Sequence, residues 1–163
     1  MIRLPTALDA TDATILSLLQ ANARISNADI ARRLAMAPSA ILARIRKLER
    51  RGIIQGYAAR LDPPALGLGL TAFIFVRTEE PAGSAAVGLA LARIPEAQEV
   101  HDVAGEDCYL VKVRVADTES LGRLLRERFG RLKGVRNTRT TIALRTVKDS
   151  ARLPVPGEKR PAP

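Results

Sequence analysis

A chain of 163 residues accommodates one medium domain or two small ones, and its 26% charged and 47% hydrophobic content excludes wholesale disorder. The single cysteine, Cys108, excludes an intrachain disulfide, and the longest apolar stretch, Leu66 to Val76, is interrupted by glycines and too short to cross a bilayer. A net charge of +9 points to a polyanionic partner, nucleic acid or an anionic membrane surface.

The charge is uneven. Residues 1–60 carry 10 basic and 4 acidic side chains, whereas the remainder carries 16 and 13. The excess gathers at Arg32, Arg33, Arg44, Arg46, Lys47, Arg50 and Arg51, where only Glu49 opposes it. Residues 1–9 lack the apolar core of a signal peptide, so the expectation is a cytoplasmic protein. Aromatic residues make up only 3%, which disfavours recognition by stacking on exposed rings.

Along the chain, Asp9 is placed to cap a first helix reaching about Ala21, with Ile15, Leu18 and Leu19 as its core stripe. Ser26-Asn27-Ala28-Asp29 resembles a capping box and opens a second helix to about Ala35, with Ile30, Ala31 and Leu34 inward. After a tight turn at Met36-Ala37, Pro38 suits the first position of a third helix, which ends near Arg51 before Gly52. Two helices joined by so short a turn form a helix-turn-helix.

In the third helix, Leu42, Ile45 and Leu48 read as the apolar seam, and Ser39, Ala40, Ala43, Arg44 and Lys47 as the opposite face. Small residues permit close approach to a major groove, and Arg or Lys can reach guanine edges or phosphates. Arg46, Arg50 and Arg51 are candidates for phosphate contact, and Arg60 a weaker one. A turn and short strand over 53–61 would suit a wing. A solvated helix surface is the alternative for all of these side chains; the helix-turn-helix context favours DNA contact for Ser39, Arg44 and Lys47, while Arg46, Arg50 and Arg51 could equally meet only solvent.

Asp62-Pro63-Pro64 marks a linker over residues 62–70. Beyond it the pattern predicts a strand from Thr71 to Thr78, a helix over 84–94, a strand from Glu99 to Val103 and a turn at Gly105-Glu106-Asp107. A cleanly alternating strand from Cys108 to Val115 follows, then an amphipathic helix from Thr118 to Leu132 and a last strand from Val135 to Val147. The order β-α-β-β-α-β is that of a ferredoxin-like domain. The fold class is therefore α+β: an N-terminal winged helix-turn-helix over 1–61, then a βαββαβ domain over 71–148. Residues 149–163 carry prolines without apolar periodicity and read as a flexible tail.

The ordered set Leu8-Asp9 with Asp12 and Ile15-Leu16, Asn22 to Ser26, Ala31 to Leu34, Arg44 to Glu49 and Gly52 to Tyr57 resembles the Lrp/AsnC (feast/famine) family of prokaryotic regulators. In the second half the resemblance is carried by Val103 to Glu106, Tyr109 to Lys112, Gly134-Val135 and Thr138 to Thr140. It implies a regulator that binds double-stranded DNA near promoters and responds to a small molecule, commonly an amino acid. It further implies a homodimer assembling to an octamer, with the ligand between neighbouring dimers. On that resemblance Gly105, Glu106, Asp107 and Cys108 become candidate effector residues, with Thr118, Thr141 and Ile142 ranked below them.

Three positions depart from the family pattern. Ala37 stands where a serine often caps the recognition helix, Ala43 where an arginine often sits, and Cys108 where amino-acid binders often have an aspartate. A thiol supplies no charge for a ligand ammonium; Asp107 or Glu106 could replace it.

Against this stand a DNA-architectural protein with little sequence preference and an enzyme like the sirohaem decarboxylases, which resemble the family in fold and length. The latter reading wants several histidines, and the chain has only His101. No catalytic constellation or metal site is expected, and no cofactor is required. Cys108 reads as a packing group rather than a redox switch.

Overall fold

The computed structural model describes residues 8–81 and 84–156. It divides into two compact units, 1–59 together with 149–163, and Arg60–Lys148.

In the N-terminal unit, α1 spans Ala10–Ala21, α2 Asn27–Leu34 and α3 Pro38–Arg50. The Asp9 carboxylate caps α1 by accepting from the Asp12 amide, and Ser26 Oγ caps α2 by accepting from the Asp29 amide. Ser26 Oγ in turn donates to the Asp29 carboxylate at 2.6 Å, a bond between the two side chains in place of the return bond to the cap's backbone amide that a longer glutamate makes. Ala35 ends α2 in the left-handed conformation (φ 52°, ψ 44°), and the Met36 amide returns to the Ala31 carbonyl. No side chain caps α3: Ala37 has no oxygen to offer, and Pro38 removes one of the amides that would need it.

Ile15, Ile30, Ala31, Ile41, Ile45 and Leu48 form the core of this unit. The buried seam of α3 is thus Ile41-Ile45-Leu48, whereas Leu42 is only half-buried. This rotates the outward face relative to the pattern read from Leu42. The strand expected near Ala58 does not form. Residues 55–62 carry no helix or strand.

A short 3₁₀ turn, Pro64–Leu66, precedes the second unit's sheet. Its elements are β1 (Leu70–Thr78), α4 (Ala86–Leu91), β2 (Ala97–Asp102), β3 (Tyr109–Val115), α5 (Thr118–Glu127) and β4 (Val135–Ile142). The strand order is β2-β3-β1-β4 with every pair antiparallel, the ferredoxin-like interleaving of two split βαβ units. Alternation puts Ala72, Ile74 and Val76 of β1 and Tyr109, Val111 and Val113 of β3 against Val87 and Leu91 of α4 and Leu121 and Leu124 of α5. Phe73, Phe75 and Arg77 on β1, Leu110, Lys112 and Arg114 on β3, and Asn137, Arg139 and Thr141 on β4 share the other face.

The helix expected to reach Leu132 ends at Glu127 and gives way to a 3₁₀ turn, Phe129–Arg131, and two C-terminal segments also differ from expectation. The last strand ends at Ile142 rather than Val147: Ile142 pairs with Ala72 near the start of β1, and beyond it Leu144 is 99% exposed. Residues 149–156 are not a free tail. Gln20 on α1 donates from Nε2 to the Leu153 carbonyl (3.0 Å) and accepts from the Leu153 amide (2.7 Å), and Val155 is buried. A side-chain amide has a donor and an acceptor edge, and here both engage the backbone of one residue. The remainder of that expectation, 157–163, lies outside the described residues. No helix among the described residues is long and apolar enough to cross a membrane.

Candidate functional site

The outward face of α3 follows from its seam. With Ile41, Ile45 and Leu48 buried, the residues half a turn away are Ser39, Ala43, Arg46 and Arg50, and all four are exposed. They run at i, i+4, i+7 and i+11, one continuous stripe along the helix. Lys47 flanks it, exposed, and Ala40 is half-buried on the same flank. Arg51 follows the last turn as its C-cap and is half-buried. The acid of this helix, Glu49, lies off the stripe and accepts a hydrogen bond from the Tyr57 hydroxyl at 3.1 Å. Burial and the nearby Glu49 charge push the Tyr57 phenol above its ordinary pKa, so it stays a donor. The stripe is consequently small at its N-terminal end, cationic towards its C-terminal end and free of carboxylate.

Arg44 is placed differently from the other cations. Its Nη1 lies 2.7 Å from Asp9 Oδ2 and 2.7 Å from Asp12 Oδ1, and its side chain is only 32% exposed. The sequence pattern grouped it with the outward residues; the signal that could have separated it is the pair of carboxylates in the first turn of α1.

In the second unit, the loop between β2 and β3 gathers four of the candidate effector residues. It closes where the Val103 amide meets the Cys108 carbonyl, and the Cys108 amide meets the Val76 carbonyl. Gly105 has φ 147°, and a side chain there would meet nothing within 4 Å. Glu106 accepts from Arg77 twice, through its carbonyl (3.0 Å) and its carboxylate (3.2 Å). Asp107, with its side chain 18% exposed, accepts from Arg139 at 2.9 Å, and that guanidinium lies 4.0 Å over the Phe75 ring. Cys108 is half-buried against the sheet core.

The loop therefore meets a cation from β1 and another from β4, together with an aromatic face. Arg77, Arg139 and Phe75 were not picked out from the sequence as site residues, because their convergence depends on β1 and β4 being neighbours. Thr141 shares the strand face with Arg139, two residues away. Thr118 is not near the loop within the chain: it opens α5 at the far end of β3, roughly 20 Å of strand away. That end has its own cleft, lined by Arg114, Ser120, Arg123 and Glu127 among others. His101 lies exposed on β2, 3.3 Å from the Glu99 carboxylate.

Residues 8–55 match the winged helix-turn-helix DNA-binding family, and residues 71–153 match the Lrp/AsnC ligand binding domain. The chain belongs to the Lrp/AsnC family. It is a transcriptional regulator, with a DNA-binding helix-turn-helix followed by a ligand-binding domain. The leucine-responsive regulatory proteins of Salmonella typhimurium and Serratia marcescens are each 40% identical over 148 residues, covering 90% of both chains. Among solved structures, a Neisseria meningitidis transcriptional regulator in complex with L-methionine superimposes with a TM-score of 0.84 at 32% identity, covering 92% of this chain and 98% of its own. The feast or famine regulatory protein of M. tuberculosis, complexed with L-methionine, gives 0.83 at 37% identity, covering 92% and 100%. As an Lrp/AsnC member the chain presents the recognition helix and the ligand domain in the family's order.

Proposed function

We propose that this Lrp/AsnC chain is a sequence-specific regulator that reads the major groove with the Ser39-Ala43-Arg46-Arg50 stripe of α3. The observation that carries the reading is that stripe: exposed, carboxylate-free, and opposite a seam fixed by buried isoleucines. Ser39 and Ala43 allow the helix to approach base edges closely, while Arg46 and Arg50 reach guanine edges or phosphates. Lys47 and Arg51 contribute phosphate contacts on the flank.

Its effector is an amino acid or a related metabolite, bound at the 103–108 loop. Relatives crystallised with L-methionine support this class. Here an effector ammonium would compete with Arg139 for Asp107, or with Arg77 for Glu106, and a carboxylate would meet the cations so released. The sheet face bearing Phe73, Phe75 and Leu110 offers apolar surface for a second copy, consistent with a homodimer and further assembly to an octamer. A two-fold dimer places its recognition helices about one DNA turn apart, so operators carry dyad symmetry.

The test is binding to the DNA upstream of the protein's own gene and to random duplex across a salt series, with and without L-methionine and L-leucine. Specific binding shifted by an amino acid supports the reading. Salt-dependent binding without preference replaces it with an architectural role.

A further inference from the structure

We propose that Arg44 is a positioning residue rather than a DNA-reading one: its bond to Asp9 and Asp12 fixes the rotation of α3 about its own axis and thereby aims the Ser39-Ala43-Arg46-Arg50 stripe. The inference rests on the DNA-binding reading of α3 given above and assigns a different task to the cation at the centre of that helix.

Three observations carry it. First, a single nitrogen, Nη1, is 2.7 Å from a carboxylate oxygen of each aspartate, a distance at the short end for a charge-assisted bond. Second, the Asp12 side chain is only 5% exposed. If Arg44 swung out to a phosphate, Asp12 would be left buried without its counter-charge, which is the costly way to break such a pair. Third, the local charge is already spent: two carboxylates surround one guanidinium, and the Asp9 bond holds the guanidinium more firmly protonated than usual. A cluster with a net negative charge repels phosphate.

The mechanical argument concerns directionality. Ile15 shares one core with Ile41, Ile45 and Leu48, but apolar contacts are non-directional and tolerate rotation of a helix on its seam. Hydrogen-bonded charges tolerate far less, since they weaken steeply with angle. The carboxylates themselves are rigidly placed. Asp9 is the N-cap of α1 and Asp12 lies in its first turn, where the helix dipole favours negative charge. Arg44 therefore ties the middle of α3 to a fixed point on α1. A rotation of one residue, about 100°, would carry Arg46 and Arg50 away from the groove.

The sign of one substitution separates positioning from reading. Asp12→Asn removes the buried counter-charge and leaves Arg44 held by Asp9 and a neutral amide oxygen, so that it is bound less tightly. If Arg44 reads DNA and the aspartates merely compete for it, the variant binds all DNA more tightly, with the slope of log K against log salt steeper by about one. If Arg44 positions α3, the variant loses affinity for the specific site about ten-fold, comparable to one mismatched base pair. Its random-DNA affinity and salt slope then stay unchanged.

The experiment uses the full-length protein, a duplex selected by the wild type from a random pool, and a random duplex. Asp12→Asn, Asp9→Asn, Arg44→Met and Arg44→Lys are compared, each at a temperature well below its own melting midpoint. Asp9→Asn retains the helix cap, since asparagine caps as well as aspartate, and so remains folded if Arg44→Met does not. The expected result is a loss of specific over random preference in Asp12→Asn and Arg44→Met, with partial recovery in Arg44→Lys. Tighter binding by Asp12→Asn, a shallower salt slope in Arg44→Met, or lowered melting points with undiminished preference would each overturn the proposal. A wild type that selects no site from the pool would refute the reading of α3 itself, before any variant is compared.

Discussion

Gly88 on α4 lies flat against the Tyr109 ring of β3: a Cβ at Gly88 would fall 2.6 Å from Tyr109 Cε1. The ring is 5% exposed and its hydroxyl donates to Glu80 at 3.3 Å, so it is enclosed on both sides and cannot yield by swinging into solvent. Gly88→Ala is expected to destabilise the protein by about 1–2 kcal/mol, because overpacking outweighs the better helix propensity of alanine. Urea denaturation measures it, with Gly69→Ala, where nothing lies within 4 Å, as the control. Equal midpoints in the two variants would show that the ring moves freely.

Arg46→Ala and Arg50→Ala should separate the two kinds of DNA contact along the α3 stripe. A variant that loses a base contact relaxes specificity at one base pair by about 1–3 kcal/mol; one that loses a phosphate contact weakens all sequences and lowers the salt slope by about one. Binding to a panel of single-base-pair operator variants decides which. Neither effect in either variant would remove the stripe from the interface.

Arg139→Ala removes both the counter-ion of Asp107 and the cation over Phe75. The expected outcome is a changed response to L-methionine, with the half-maximal ligand concentration shifted roughly five-fold, a modest figure because Arg139 is well exposed. Operator affinity without ligand should be unchanged. Titration of operator binding against ligand measures this, and an unaltered response would place the effector away from the 103–108 loop.

Acid should destabilise the protein through its helix caps. The Asp12 amide, then Arg44, hold the Asp9 carboxyl below its ordinary value. The Ser26 hydroxyl does the same for Asp29, and the Ser120 amide for Asp117. A carboxyl whose folded pKa is depressed stabilises the fold above its unfolded value, about 3.9 for aspartate, and that stabilisation is lost as pH falls through the lower folded value. Urea midpoints should therefore decline below about pH 4. Asp117→Asn, which keeps the cap but not the charge, should flatten part of that decline. An identical acid limb in wild type and Asp117→Asn would assign the loss to other groups.

Both helix caps and the β-α-β-β-α-β order were legible in the sequence because each depends on local chemistry: an acceptor three residues before an amide, or a strict alternation such as Tyr109-Val111-Val113. The stripe on α3 was only partly legible. Leu42 and Ile41 are equally apolar, and which of them faces α1 is decided by packing across three helices. Nor could charge alone show that Arg44 is taken by carboxylates 32 and 35 residues earlier. The same holds for the loop residues Glu106 and Asp107, whose partners stand on β1 and β4. Proline content suggested a loose end at Asp149; Gln20, far off in the chain, supplies the contact that holds it.

That contact alters the topology of the whole molecule. The chain leaves the DNA-binding unit after Ala59 and returns to it at Asp149, so the ligand-binding unit is an insertion within the other, tethered at both ends. A fragment ending at Ala59 lacks the segment that engages Gln20, whereas one splicing Ala59 to Asp149 through a short linker retains it.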